Sequence, residues 1–309
     1  MTSKPEIREN VLLKPMMTMR TGGPARFFAE PSSTQEIIEL LNYAEEAKLE
    51  VFILGAGSNV IASDEGFDGL VIRLSKNFSA LEITEDPDDE NFMIIKAQAG
   101  CPLSRFGNEA AQEGLTGAQF ACGIPGSVGG GVFMNAGAYG GEIKDIAVEI
   151  EYIEDGKLKT AGKEEAEFGY RSSLWERLAS QGHKVVITGL KARLAKGDKE
   201  EILAQVAELR NKRTNSQPLT VPSCGSTFKR PEGYFAGKLI EDSGLKGFAL
   251  DDSGAQVSPK HAGFVVNNGG TASASDVRKL IKYVQDKVYS DSGVRLQTEV
   301  RFLGFGEDE

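Results

Sequence analysis

Histidine and cysteine are scarce in this chain of 309 residues, which holds two of the first and three of the second. His183 and His261 are too few for a histidine-rich metal centre, and any histidine-based triad has to use one of them. Cys101, Cys122 and Cys224 lie far apart with no CxxC spacing, which argues against structural disulfides and against a zinc site. Long apolar runs are missing too. No window approaches the roughly 18 apolar residues of a membrane span. The opening Met1-Thr-Ser-Lys-Pro-Glu6 has no apolar core for a signal peptide. The expected compartment is the cytoplasm, with no membrane as partner. Positive charge is in deficit, with 35 Lys+Arg against 45 Asp+Glu and a net charge of −10. That balance argues against nucleic acid as the main partner, because phosphate backbones need basic surface. What is present is ordinary for a soluble enzyme, with 40% hydrophobic and 26% charged residues and enough length for two or three domains.

Glycine is plentiful in one place. Gly123-Ile-Pro-Gly-Ser-Val-Gly-Gly-Gly-Val-Phe-Met-Asn-Ala-Gly-Ala-Tyr-Gly-Gly141 has eight glycines in nineteen residues. Its Ile124, Val128, Val132, Phe133, Met134 and Tyr139 are buried-type residues, whereas a flexible linker carries Ser, Glu or Lys. Glycine within an apolar segment means close backbone approach or positive φ, and peptide N–H groups so exposed suit a phosphate. A run of tight turns in a packed core is the other reading.

The pattern elsewhere is mixed α and β. Ala25–Ala29 reads as extended. Ser33 with Glu36 is a capping box for a helix to about Ala47. Val51–Leu54, Gly69–Leu74, Phe92–Ala99 and Val185–Leu194 read as strands, and Leu103–Glu113 as a helix. Asp86–Glu90 reads as a solvated acidic loop. Asp155-Gly156 between Val148–Ile153 and Lys157–Thr160 is a type I′ hairpin signal. Lys199–Arg213 is an amphipathic helix with Ile202, Val206 and Leu209 on one face, and Ser216–Pro222 reads as a linker. In Ser275–Tyr289 a stripe of Val277, Leu280, Ile281, Val284 and Val288 marks a core helix, and Arg295–Phe305 closes the chain as a strand.

Leu54-Gly-Ala-Gly-Ser-Asn59 begins like a Rossmann fingerprint but fails its tests. Val60 stands where the third glycine belongs, the next strand follows too soon for a crossover helix, and no ribose-binding acid stands about 20 residues on. A nicotinamide Rossmann domain is disfavoured. Two Gly-rich loops, at 55–59 and 123–141, remain able to clamp a dinucleotide.

These loops occur with Thr18–Pro24, Gly169-Tyr-Arg171, Gly225-Ser-Thr-Phe-Lys-Arg-Pro231 and Glu299-Val-Arg301 in an order that resembles the UDP-N-acetylenolpyruvoylglucosamine reductase family, over about Thr18 to Gly304. The resemblance implies an α+β architecture: a FAD-binding fold of the PCMH or vanillyl-alcohol-oxidase type, built of two α+β subdomains, plus a C-terminal α+β substrate-binding domain. The implied division is 1–78 with 300–309 as the first FAD-binding subdomain, 79–215 as the second, and 216–299 as the substrate domain, the FAD-binding domain spanning about 20–195. The implied cofactor is non-covalent FAD, with NADPH as co-substrate. Cys122 is expected to be an ordinary buried cysteine, although some relatives with covalent flavin attach it through Cys or His. The implied reaction reduces UDP-N-acetylglucosamine enolpyruvate to UDP-N-acetylmuramate in peptidoglycan precursor synthesis, and so serves cell wall biogenesis. Hydride passes from flavin N5 to C3, and C2 takes a proton.

The resemblance assigns residues. Ser226 is the expected acid at C2, with Lys229 to assist it or to hold substrate phosphate. Arg171 clamps the carboxylate with its planar fork, and Glu299 helps stabilise the enediolate intermediate. Expected FAD contacts are Arg20 and Thr21, then Gly55, Ala56, Gly57, Ser58, Asn59 and Val60. A third group is Gly123, Ile124, Pro125, Gly126, Ser127, Gly129, Gly130, Asn135, Ala136, Gly137, Ala138 and Tyr139. Tyr170, Lys229, Lys246 and Asn267 are expected at the substrate, and no role is inferred for His261. The interval from Arg171 to Ser226 has no room for the tyrosine-bearing insertion of one family branch, so the chain resembles the shorter branch. No obligate protein partner and no metal are expected. Two other readings stand beside this one: another PCMH-type oxidoreductase, and a non-catalytic nucleotide-binding protein.

Overall fold

Capping chemistry sets where the first helix starts. Ser33 Oγ accepts from the Glu36 N–H at 3.2 Å, and the Glu36 carboxylate reaches back to Ser32 rather than to Ser33. The helix runs Thr34–Glu46 and buries Ile37, Leu40, Leu41 and Ala44. The structure is a computed structural model, described for residues 5–306; residues 1–4, part of the stretch read for a signal peptide, and 307–309 of the first expected subdomain lie outside that range. Among the described residues no helix is long and apolar enough to cross a membrane.

The chain divides into two compact units. One holds the chain up to Arg8, Phe28–Ala56 and Gly69–Arg213; the other holds Glu9–Phe27, Gly57–Asp68 and everything from Thr214 on. In the first unit, strands Lys157–Gly162, Ala147–Glu154, Val185–Lys196, Phe92–Gln98 and Leu81–Glu85 form one antiparallel sheet in that order. The Asp155-Gly156 turn has φ of 48° and 77°, as a type I′ hairpin needs. Helix Leu103–Gln112 buries Leu103, Phe106 and Ala110. Helix Lys199–Ser216 runs past its expected end at Arg213 and takes in the first residue of the expected linker.

Three expectations are corrected. Val51–Leu54 pairs in parallel with Leu70–Arg73, although no crossover helix joins them. The connection instead contains strand Val60–Ala62, so the absence of a helix excludes a Rossmann unit without excluding a parallel pair. The acidic loop is not simply solvated. Asp86 is 7% exposed and accepts from Arg193 Nε at 2.5 Å, and the Arg193 guanidinium lies 3.6 Å from the Phe92 ring centroid. That hydrogen bond holds the Asp86 carboxyl below the usual carboxylate range. The closing strand is only Arg301–Leu303, parallel to Val60–Ala62, because the residues before it bond to a different partner, the 227–229 segment.

The second unit is organised by helix Ala274–Ser292. Ser273 and Asp276 cap it reciprocally, and Asp64 accepts from the Ala274 and Ser275 N–H groups at 2.9 and 3.0 Å. Gly293, with φ of 72°, ends it. All five stripe residues are buried, in a cluster with Phe228, Leu245, Val257, Val265, Leu296 and Val300. Each such aliphatic side chain contributes about 1.5–3 kcal/mol of burial.

Short helix Val128–Phe133 tests why glycine is needed in the Gly-rich stretch. A Cβ on Gly129 would lie 2.8 Å from Ala99 Cβ, whereas on Gly130 its nearest neighbour would be Ser127 Oγ at 3.5 Å. Replacing glycine by alanine in a helix is worth about 0.5–1 kcal/mol in favour of folding, and a core overpacking costs about 1–3 kcal/mol. Gly129→Ala therefore lowers stability by up to about 2.5 kcal/mol net, and Gly130→Ala does not. Urea unfolding of the two variants checks the difference in sign.

Candidate active site and cofactor cradle

The first unit carries the Gly-rich stretch and Arg171. Ser127 Oγ caps helix Val128–Phe133 by accepting from the Gly130 N–H, and a Cβ on Gly55 would stand 2.3 Å from the same oxygen. Loop residue Gly55 and the Gly-rich stretch therefore meet with no space for a side chain. Val128 and Val132 are fully buried. Ile124, Phe133 and Met134 keep part of their apolar surface open, and Tyr139 is 48% exposed, against its expected burial. A Cβ on Gly123 would lie 3.2 Å from Arg213 Cδ, so helix Lys199–Ser216 closes over that turn. Burial pulls the Arg213 pKa down.

Asn135 has no exposed surface and a φ of 42°. Its Nδ2 donates to Glu142 Oε2 at 2.7 Å and to the Gly169 carbonyl at 2.9 Å, and its Oδ1 accepts from the Lys144 N–H at 3.0 Å. Gly169 and Ser172 pair as a β-bridge, with Tyr170 and Arg171 at the tip. Arg171 has φ of 54°, its Nη2 donates to the Gly137 carbonyl at 3.1 Å, and its guanidinium lies 5.1 Å from the Tyr170 ring centroid. Ser173 Oγ donates to the Phe133 carbonyl at 2.7 Å.

The second unit draws the remaining candidates together. The Glu299 N–H donates to the Thr227 carbonyl at 2.8 Å, Phe228 and Thr298 form an antiparallel bridge, and the Lys229 N–H donates to the Gln297 carbonyl. Ser226 is exposed and Glu299 half-buried between buried Leu296 and Val300. Asn59 joins this pair of strands, with its Nδ2 on the Glu299 carbonyl at 3.0 Å and its own carbonyl taking the Arg301 N–H. Thr18 accompanies them, its N–H on the Gly57 carbonyl and its Oγ1 on the Ser223 carbonyl. Arg20, with φ of 59°, is exposed.

Two expected substrate residues are engaged otherwise. Asn267 has no exposed surface, and its amide is bonded to the Met19 and Ala272 carbonyls and the Ala272 N–H. Lys246 pairs with Glu241 at 2.9 Å. His261 accepts from the Gly263 N–H on Nδ1, and burial lowers its pKa. Sequence reasoning took Asn59 and Asn135 as cofactor contacts and missed that their side chains hold backbone. The readable signal is an asparagine beside glycines, where αL backbone and side-chain bonds to main chain are common.

Each unit by itself offers groups that suit part of a flavin dinucleotide. Thr21 Oγ1 is buried without a protein partner, in a segment beside Gly22 and Gly23. Gly130 leaves its outer face open, and the half-open Ile124, Phe133 and Met134 offer apolar surface to a planar ring.

Comparison with known proteins agrees. Residues 25–162 match the family model described as FAD binding domain, and 217–303 match UDP-N-acetylenolpyruvoylglucosamine reductase, C-terminal domain. The fold is thus α+β, with a FAD-binding domain and FAD as its cofactor. The UDP-N-acetylenolpyruvoylglucosamine reductase of Agathobacter rectalis is 46% identical over 298 residues, 94% of this chain and 92% of the relative. That of Clostridium botulinum strain Eklund 17B is 45% identical over 97% of this chain and 93% of the relative. The crystal structure of the Thermus caldophilus enzyme superposes with a TM-score of 0.78 at 34% identity, covering 97% of this chain and 99% of that one. The chain belongs to the UDP-N-acetylenolpyruvoylglucosamine reductase family, whose members are FAD-dependent oxidoreductases.

The three thiols are free and buried. Burial raises Cys101 to about 11 and Cys224 to about 12, and pushes Cys122 up as well. At pH 8 the thiol, not the nucleophilic thiolate, is the populated form. A disulfide reagent at pH 8 will label all three cysteines only after unfolding and none rapidly in the native protein.

Proposed function

We propose that this chain uses NADPH to reduce UDP-N-acetylglucosamine enolpyruvate to UDP-N-acetylmuramate, a step of peptidoglycan precursor synthesis. The observation that carries the reading is the Glu299 N–H bonded to the Thr227 carbonyl, which ties the glutamate assigned to the enediolate to the segment of Ser226 within one unit. FAD, once bound, would supply the hydride-transfer chemistry that links NADPH to the enolpyruvyl group.

Arg171 takes the substrate carboxylate on its planar fork and supports the negative charge that grows there as hydride adds. Ser226 gives the proton to C2, and Lys229 beside it favours the charge left on the serine oxygen. Glu299 supports the enediolate. Tyr170, Lys229, Lys246 and Asn267 serve the nucleotide-sugar, with Asn267 and Lys246 also bonded within the protein. In this scheme 1–78 with 300–309 and 79–215 hold FAD, and 216–299 holds substrate. The Thr21 hydroxyl, Gly55–Val60 backbone and Gly123–Tyr139 stretch face the cofactor. NADPH and UDP-sugars are cytoplasmic metabolites, so the cytoplasm is the proposed compartment, and small molecules are the proposed partners.

Two measurements separate this reading from the others. Gly130→Ala folds normally but binds FAD about tenfold or more weakly, read as loss of flavin colour on dilution. A protein that takes up no FAD at all would end both the reductase and the oxidase readings.

Ser226→Ala keeps reduction by NADPH, while reoxidation by the enolpyruvyl sugar falls by about 10²- to 10⁴-fold, the range for loss of a general acid. Stopped-flow absorbance resolves the two half-reactions, and equal loss in both would remove Ser226 as the acid.

A further inference from the structure

We infer that Asn135 is a positioning residue that sets where Arg171 stands. The inference rests on the reading that Arg171 binds the substrate carboxylate. The argument starts from the turn itself. Tyr170 and Arg171 form the tip of a one-bridge hairpin, and Arg171 has φ of 54°. A tip with a single bridge and a non-glycine residue in the left-handed region does not hold its shape alone.

Three bonds from one neighbouring stretch hold it. Ser173 Oγ anchors the exit on the Phe133 carbonyl, Arg171 Nη2 anchors the tip on the Gly137 carbonyl, and Asn135 Nδ2 anchors the entrance on the Gly169 carbonyl. Asn135 lies midway between Phe133 and Gly137 in sequence, and only its bond comes from a side chain of that stretch. It is also the best fixed. Its second donor is held by Glu142, itself paired with Lys144 Nζ, and its acceptor by the Lys144 N–H. A buried amide with its capacity used this way adopts one orientation, because any rotation leaves a polar atom unsatisfied. The Gly169 carbonyl is fixed in turn, and with it the start of the turn that carries Arg171. A displacement of about 1 Å at such a group costs about a hundredfold in rate.

The test uses FAD-loaded enzyme and the variants Asn135→Gly, Arg171→Ala and their combination. Glycine keeps the left-handed backbone available while removing the amide. Asn135→Gly should slow reoxidation by the enolpyruvyl sugar about 10- to 100-fold more than it slows reduction by NADPH. Affinity of oxidised enzyme for that sugar, measured by calorimetry, should fall alongside. In the Arg171→Ala background the same substitution should change neither quantity, because the group it positions is gone. Unchanged reoxidation in Asn135→Gly beside a slow Arg171→Ala overturns the inference and leaves the role of Arg171 standing. A fast Arg171→Ala instead overturns the underlying reading. Losses that multiply in the double variant, or that strike both half-reactions alike, mean that Asn135 supports the fold and nothing more specific. If Asn135→Gly does not fold, Glu142→Ala and Glu142→Gln decide. The first removes the acceptor that fixes Asn135 and should slow reoxidation; the second restores an acceptor oxygen and should recover it. Equal rates in both overturn the inference.

Discussion

A buried amide must have its hydrogen bonds, and the Asn135 side chain meets that requirement with three of them. In a stretch dominated by glycine there are few side chains to fix the backbone, so the shape of the loop has to come from elsewhere. It comes from Asn135, from Ser127 at the helix cap, and from the packing of Val128 and Val132. Removing one partner from a buried polar group costs about 1–3 kcal/mol, so this loop has one arrangement with every bond made. Its inner carbonyls, Phe133 and Gly137, then serve as fixed acceptors for the Ser173 hydroxyl and the Arg171 guanidinium.

The second unit solves a similar problem with the same residue type. Asn59 ends the other Gly-rich loop, and its amide donates to the Glu299 carbonyl while its own carbonyl takes the Arg301 N–H. Here the parallel pairing of Arg301–Leu303 with Val60–Ala62 carries the register onward, and the core around helix Ala274–Ser292 holds both strands. Each loop thus contains an asparagine that bonds the main chain of a segment bearing a proposed catalytic group. The side chains that looked like ligands for a cofactor act first on the backbone.

Much of the architecture was legible because it rests on local rules. Ser33 capped the helix it was expected to cap, Asp155-Gly156 turned as expected, and the Val277 to Val288 stripe faced the core. The misses share a cause, which is partnership with residues remote in sequence. Asp86 depends on Arg193, 107 residues away, and the last strand breaks because Glu299 and Arg301 bond to different partners. The parallel pair at Val51–Leu54 escaped because the rule on crossovers concerns helices, and this connection has a strand. At the candidate site the motif order pointed to the family, while burial and bonding partners come only from the fold. Asn267 and Asn135 carry the same amide as an exposed ligand would, and nothing local in sequence tells the two situations apart.

The glycines divide on the same physical ground. Gly129, Gly137 and Gly141 are glycine because a Cβ would strike Ala99, Glu142 and the Phe120 ring at 2.6–2.8 Å. Those three belong to the packed-turn reading of the stretch. Gly130 and Gly140 have room, with nothing nearer than 3.5 Å to a Cβ, so packing within the unit gives no reason for them. Gly140 has φ of 91°, which accounts for its identity through the backbone alone. Gly130 has helical backbone and open space, conditions under which alanine is the more stable choice by about 0.5–1 kcal/mol. That preference makes Gly130 the glycine of the stretch on which the proposed approach of FAD to the backbone rests. A dense run of glycine is therefore not one signal but several, and the part of it that speaks for a cofactor is the part the protein's own atoms leave unexplained.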